Sequence, residues 1–329
     1  MPEPETGNLM TARDPTLILD WASWETTLRQ RAERARNDVA PVRWNGLLDR
    51  LVEGRVKRAS KALPWQRGIH ISPHLFPTTI LAALFRRPLV YLCWGNAYHR
   101  GVRREIVRMI LRRARLVLVN EDRTRDEVRS MAGSEPRKIP YLVDTDFYPC
   151  APTGERADFL FCPGDNDRDG EMLVALAERG HRVVWLNNVP EFAARFAGRS
   201  DRLELVSAVS FAELRDLYRR CRAVVTPLTR DVHAAGQTTT LEALASGCAV
   251  VLGAGRTAEL FAGDGLVTVV AKNDPAAWEA AIESTVTFDK LKPWAPAERS
   301  ALIAERHGVA AVTAVMHDVL ESVAKSPRR

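Results

Sequence analysis

The densest chemistry lies between Asp231 and Val251, where Gly236-Gln237-Thr238-Thr239-Thr240 opens a helical pattern carrying a single carboxylate, Glu242, before a buried apolar run. Gly236 can take backbone angles closed to other residues, and the first N–H groups of a helix have no intrahelical acceptor, so they point at an anion in front of them. Thr238, Thr239 and Thr240 add hydroxyls, and Gln237 adds an amide. Glu242 falls about one turn in, within reach of ribose hydroxyls, and Gly247 suits the helix C-terminus before Cys248-Ala-Val-Val-Leu252. A glycine-bearing loop, a helix start and one carboxylate are the parts of a sugar-nucleotide pocket.

Two further loops carry charge toward the same place. Pro163-Gly164-Asp-Asn-Asp-Arg168 and Pro227-Leu-Thr-Arg230-Asp231 each follow an apolar run. Gly164 allows close approach of a backbone, and Arg168 and Arg230 are either ligands for a diphosphate or surface charges. In the first half, His74 stands in a Pro-flanked turn, where it either moves a proton or shapes a pocket by hydrogen bonding. His70 reads as core or support. Trp94 either stacks on a ligand or packs, and Gly95 permits close approach. Over 102–114, Arg104, Arg108 and Arg112 recur at four-residue spacing, with Arg100 and Arg115 extending the same side. Such a face fits a lipid diphosphate or an anionic leaflet, or is simply solvated.

The elements that must hold these residues follow from the apolar runs. Residues 158–162, 182–186, 203–206, 223–226, 249–252 and 266–270 read as six short strands alternating with helices, a doubly wound parallel sheet whose ligands bind at the carboxyl ends. The first half is less regular: strands at 16–20, 68–72, 89–93 and 116–119, with helices around 24–36 and 46–62, suggest a small or reduced Rossmann-like domain. No Gly-x-Gly-x-x-Gly fingerprint is present, which argues against a nicotinamide or flavin enzyme.

The 329 residues suit two α/β domains. Charge divides unevenly, 26 Lys+Arg against 17 Asp+Glu in residues 1–150 and 21 against 24 in the rest, so the first half is expected to meet an anionic partner. Nucleic acid is not expected, because no aromatic residues interleave the arginines. Cys93, Cys150, Cys162, Cys221 and Cys248 are scattered and odd in number, which reads as core thiols without a disulfide framework or a zinc site. No run approaches a membrane span and Met1-Pro-Glu-Pro-Glu-Thr has no signal-peptide character, so a cytoplasmic location is expected.

The block Gly236-x-Thr-x-x-x-Glu242-Ala-x-Ala-x-Gly247-x-x-Val250-Val251 resembles the signature of GT-B glycosyltransferases, especially the large retaining group that includes bacterial cell-envelope transferases. The resemblance implies an α/β chain of two Rossmann-like domains facing a cleft. Residues 1–149 would bind acceptor, 150–307 would bind the nucleotide sugar, and 308–329 would form a C-terminal helix packing back on the first domain. Residues 137–149 are similar to the interdomain segment of such enzymes, placing the hinge near 149–157. Asp144-Thr-Asp146 lies in that linker, so no metal is expected. The group usually has a glutamate eight residues before the second, where this chain has Ala234. Relatives with a His-Ala-Ser-Gly loop imply that His233 takes contacts to the sugar or phosphate.

Residues 70–130 resemble a second family, the 4-acetamido-4,6-dideoxygalactosyltransferase of enterobacterial common antigen, through His74-Leu-Phe76-Pro77 and Trp94-Gly95. That family uses a dTDP donor and a polyprenyl-diphosphate-linked acceptor. Where it has an aspartate after Trp-Gly-Ala, this chain has the neutral Asn96 one place earlier. Together the two resemblances imply a metal-independent, hexosyltransferase-type enzyme without a cofactor. A UDP- or dTDP-sugar would be the donor, held by Gly164, Arg168, Arg230, Gly236, Gln237, Thr238, Thr239 and Glu242. His74, Asn96 and His233 are the catalytic candidates, while Trp94, Gly95, Arg104 and Arg108 would face the acceptor. Attachment would be peripheral, at the inner face of the cytoplasmic membrane. The alternatives are a non-catalytic GT-B partner subunit and a sugar-nucleotide epimerase or hydrolase on the same scaffold.

Overall fold

The computed structural model describes residues 17–19, 40–41, 56–58, 69–72, 77–94, 100–151, 156–165, 167–230, 235–261, 263, 265–271, 274–292 and 295–325. They fall into two compact units, one holding the first sheet together with residues from Val312 onward, the other spanning Tyr141–Ala311.

In the first unit, strands β1 (Leu17–Leu19), β2 (Val56–Arg58), β3 (Ile69–Ser72), β4 (Leu89–Cys93), β5 (Leu116–Val119) and β6 (Arg137–Lys138) form a parallel sheet in the order β2-β1-β3-β4-β5-β6. Helices α1 (Pro77–Leu84), α2 (Val102–Arg113) and α3 (Asp122–Ala132) follow β3, β4 and β5 in turn. β4 is buried along its whole length, as strands covered on both faces are. Val107, Ile110 and Leu111 recur at helical spacing on α2 and pack with Tyr91, Val117 and Val128.

The expected helix over 46–62 needs correction, because Val56–Arg58 is a strand in parallel register with Leu17–Leu19. Three residues are too few to show a two-residue period, and the pairing decides the backbone. β6 was likewise not legible as a strand. The sheet therefore has six strands where the sequence showed four.

The second unit is built from β7 (Leu160–Pro163), β8 (Val183–Leu186), β9 (Leu203–Val206), β10 (Ala223–Thr226), β11 (Val250–Gly253) and β12 (Thr268–Val270), all parallel, in the order β12-β11-β10-β7-β8-β9. Between them run α4 (Gly170–Glu178), α5 (Pro190–Phe196), α6 (Phe211–Arg220), α7 (Gln237–Ala245) and α8 (Arg256–Phe261), followed by α9 (Pro275–Leu291) and α10 (Ala295–His307). The last helix, α11 (Val309–Lys325), belongs from Val312 onward to the first unit. Alternate strand residues feed two cores. Phe161, Val184, Val224 and Val250 pack with Tyr148, Tyr218, Leu241 and Ile303. Leu160, Cys162, Trp185, Val225 and Val251 pack with Leu173, Trp278 and Ile282 on the other side. The reversal of strand order between β7 and β10 puts a crevice at their carboxyl ends, and α7 starts there.

Candidate functional site

Both loops singled out in the sequence leave this switch point and are tied together. Arg168 and Leu228 form an isolated antiparallel bridge, Asp169 N–H donates to Pro227 O at 3.0 Å, and Thr229 N–H donates to Asp167 O at 2.9 Å. Asp169 also caps α4, accepting from Met172 N–H at 3.1 Å. Asp167 takes a positive φ of 55°. Its carboxylate receives Arg230 Nε at 2.7 Å, while the Arg230 side chain stays 69% exposed.

Arg168 has the opposite fate: the residue is 4% exposed. Its Nε and one terminal nitrogen donate to Pro163 O at 3.1 and 2.7 Å, and that nitrogen also reaches Thr239 Oγ1 at 3.4 Å. A carbonyl and a hydroxyl carry no net charge, so these bonds aim the guanidinium without cancelling it. Gly236 sits against it. With φ 86° it is left-handed, and a Cβ there would stand 3.0 Å from Thr226 Cγ2 and 3.6 Å from an Arg168 terminal nitrogen. A Cβ on Gly164, φ 90°, would lie 3.4 Å from the same guanidinium. Trp185 Nε1 fixes that turn by donating to Gly164 O at 3.1 Å.

The structure thus brings together Gly164, Arg168, Gly236 and Thr239. α7 has no side chain capping its start, so its first N–H groups and its positive dipole end face the place where the buried guanidinium lies. Two positive fields converging in a partly water-excluded turn make a sink for an anion. Thr239 Oγ1 donates to Gly236 O at 2.9 Å, and Thr238 Oγ1 to Tyr141 Oη at 3.2 Å. Gln237 is buried, and Thr240 is fully buried, so its hydroxyl is not at the mouth of the turn. Cys162, one residue before Pro163, remains a neutral thiol, pushed up to about 12 by burial despite Arg168 beside it.

Glu242 is only 2% exposed, and both carboxylate oxygens are engaged: Oε1 accepts from Tyr148 Oη at 3.2 Å and Oε2 from Tyr218 Oη at 2.9 Å. Burial, then the neighbouring Glu242 charge, pushes the Tyr218 phenol well above its ordinary value, so it stays a donor. Neither tyrosine is marked by any local motif. Tyr148 lies 94 residues from Glu242, and no local spacing reports such a contact.

In the first unit, Trp94 ends β4 half-buried. Arg104 and Arg112 on α2 are exposed, and Arg108 donates to Glu105 at 2.8 and 3.0 Å. His70 is a core residue, held down to about 4 by burial and then by the Arg87 charge. His74, Gly95, Asn96 and His233 lie outside the described residues. Asp144 accepts from Phe147 N–H at 3.0 Å and so shapes its own turn. Among the described residues, no cluster of three or more His, Cys, Asp or Glu could hold a metal, and no helix is long and apolar enough to cross a membrane.

Residues 179–287 match the family Glycosyl transferases group 1. No curated protein matches the chain. Among solved structures, a glycosyltransferase from Rickettsia africae superposes with a TM-score of 0.68 at 11% identity, over 94% of this chain and 90% of that one. Anabaena Alr3699/HepE, solved with UDP-glucose, gives 0.68 at 17% identity, over 93% and 99%. WaaG, a glycosyltransferase of lipopolysaccharide biosynthesis, gives 0.56 at 14% identity over 77% of each chain. The fold is accordingly GT-B, with a Rossmann-like sheet in each unit.

Proposed function

We propose that this chain, a GT-B protein with a group 1 glycosyl transferase segment in its second unit, transfers a sugar from a nucleotide diphosphate to an acceptor hydroxyl. The observation that carries the proposal is the buried Arg168 guanidinium set against the uncapped start of α7 at Gly236. Leaving-group charge builds on the diphosphate as the glycosidic bond breaks, and fixed donors already in place stabilise it without reorganising. Gly164, Gln237, Thr238 and Thr239 line the approach, with Arg230 at its exposed rim. Glu242 takes a ribose hydroxyl in exchange for the longer of its two phenol bonds, that from Tyr148. The UDP-glucose complex of the Anabaena neighbour supports a uridine donor, and the dTDP class remains the second candidate. A hexosyl group and a metal-independent reaction fit a diphosphate held by a guanidinium and backbone N–H groups.

On the acceptor side, Trp94, Gly95, Arg104 and Arg108 would hold a polyprenyl-diphosphate-linked acceptor at an anionic membrane surface, within a cell-envelope pathway. His74 would deprotonate the acceptor in an inverting reaction, and Asn96 is a second candidate for that step. In a retaining reaction the leaving phosphate assists and His233 steadies it. A non-catalytic GT-B partner is the second reading, favoured by Ala234 at the place of a glutamate and by the enclosure of Glu242. Melting temperatures with UDP-, dTDP- and GDP-sugars, for the native chain and Glu242→Ala, separate the two. Stabilisation by one nucleotide class that weakens in the variant supports donor binding, and no shift with any donor supports the partner.

A further inference from the structure

Three cysteines of the second unit converge near the C-terminal end of α7, away from the residues that line its start. Cys221 closes α6 and Cys248 precedes β11; both are fully buried, and their sulfurs lie 3.8 Å apart. Both thiols face the same acceptor, Tyr218 O, at 3.4 Å from Cys221 and 2.9 Å from Cys248. Between them reaches Arg156, whose NH1 donates to Cys248 Sγ at 3.3 Å and to the carbonyls of Tyr218 and Cys221 at 3.2 Å each, while NH2 donates to Ser246 O at 3.0 Å. Those partners are three neutral carbonyls and a sulfur. A guanidinium drawn among cysteines can be matched in charge by a thiolate, and Cys248 is the sulfur it touches. Burial raises the Cys248 thiol, but the Cys221 thiol and the Arg156 charge outweigh it and hold Cys248 at about 7, while Cys221 is pushed well above its usual value. Arg156 thus favours ionisation of the Cys248 sulfur it touches, while Cys221 stays a protonated thiol.

Cys150 is the partly exposed thiol beside the pair: it is half-buried, and its sulfur packs so close to Gly247, the residue before Cys248, that a Cβ there would come within 2.5 Å. A pair this buried suits a small oxidant rather than a bulky disulfide.

We propose that Cys221 and Cys248 form a peroxide-reactive dithiol, with Cys248 as the nucleophile, Cys221 as the resolving thiol and Arg156 as the group that activates Cys248. The Cys248 thiolate attacks one oxygen of hydrogen peroxide, the O–O bond breaks, and the departing hydroxide takes a proton to leave as water. Cys248 is then a sulfenic acid. Cys221 sulfur attacks the Cys248 sulfur, its proton goes to the departing hydroxide, and a second water leaves as the disulfide forms. Two electrons pass from the two sulfurs to one peroxide. The two sulfurs must close by about 1.8 Å in all, and closing the bond draws both away from Tyr218 O, the acceptor they share as thiols. Tyr218 also holds Glu242, so the closed pair changes the support of α7.

The test is a mass measurement on the reduced full-length chain, treated with hydrogen peroxide and alkylated under denaturing conditions. Free thiols should fall from five to three, a single peptide pair should join Cys221 to Cys248, and dithiothreitol should restore both. Cys221→Ser, or Cys221→Ala should the serine variant not fold, should leave a Cys248 sulfenic acid that dimedone traps. Arg156→Gln should slow loss of the two thiols about tenfold at neutral pH, as the thiolate fraction drops. Recovery of both Cys221 and Cys248 as free thiols after Cys150 has been oxidised would overturn the proposal, as would a Cys150–Cys248 disulfide. The readout needs no sugar-nucleotide activity.

Discussion

The two units share a six-stranded parallel sheet, yet they place their arginines in opposite ways. On α2 of the first unit, Arg104 and Arg112 point into water and Arg108 is answered by Glu105 in the next turn. In the second unit, Arg168 is pulled inside, bonded to Pro163 O and set against a helix start. An exposed guanidinium works in high dielectric and is screened within about 10 Å at 0.1 M salt, so it attracts broadly and weakly. A buried one acts strongly on a single neighbour. The first arrangement suits a surface that collects anions, and the second suits a site that binds one diphosphate in one pose.

That contrast can be broken in several places. The largest expected effect is on the first unit and concerns His70, whose pKa falls from about 6.5 unfolded to about 4 folded. Above pH 6.5 both states are neutral and the contribution to stability is fully present. As pH falls from 6.5 to 4 the unfolded chain takes up the proton first, so stability drops by about 3 kcal/mol. Acid-induced unfolding followed by circular dichroism should show this loss, and His70→Gln should flatten it within that window.

Gly236→Ala should cost about 1–2 kcal/mol, because alanine is strained at φ 86° and its methyl would press on Thr226. Urea unfolding of the second unit measures it. An unchanged midpoint would mean that the turn at α7 relaxes and is not a fixed anion cradle. Tyr218→Phe should destabilise by about 1 kcal/mol through the lost bond to Glu242, and Tyr148→Phe by less, its bond being 3.2 Å against 2.9 Å. If the tyrosines position Glu242 for ribose, both variants should also weaken donor binding by more than their stability cost implies. Arg104→Gln with Arg112→Gln should change stability by less than about 0.5 kcal/mol. The same pair should reduce cosedimentation with vesicles containing phosphatidylserine, and equal cosedimentation would leave α2 as a solvated face.

The same contrast explains what could be read in advance. Strands β8 and β10 were legible to within one residue because Val183–Leu186 is apolar throughout and Ala223–Thr226 is apolar up to its last residue, as strands buried on both faces are; β9 was found in place by its leucines and valine although Glu204 is exposed. β2 and β6, three and two residues long, carry no period and exist through their partners. Gly164, Arg168, Gly236 and Thr239 could be named because glycine and helix-start chemistry is local. The burial of Arg168 could not, since arginine is ordinarily a surface residue and the bridge to Leu228 and the bonds to the Pro163 carbonyl that draw it in are set by the fold. Long-range pairs such as Tyr148 with Glu242, or Cys221 with Cys248, leave no trace in local spacing.

In the proposed function, Arg168 and the start of α7 together hold a nucleotide diphosphate. The most direct measurement is titration calorimetry of UDP and dTDP against the native chain and Arg168→Met, with melting curves to show that the variant folds. The account predicts binding of one nucleotide by the native chain and an affinity lower by roughly 100-fold in the variant, as loss of a charge-assisted contact of about 2–3 kcal/mol requires. Equal affinity in the folded variant would contradict it.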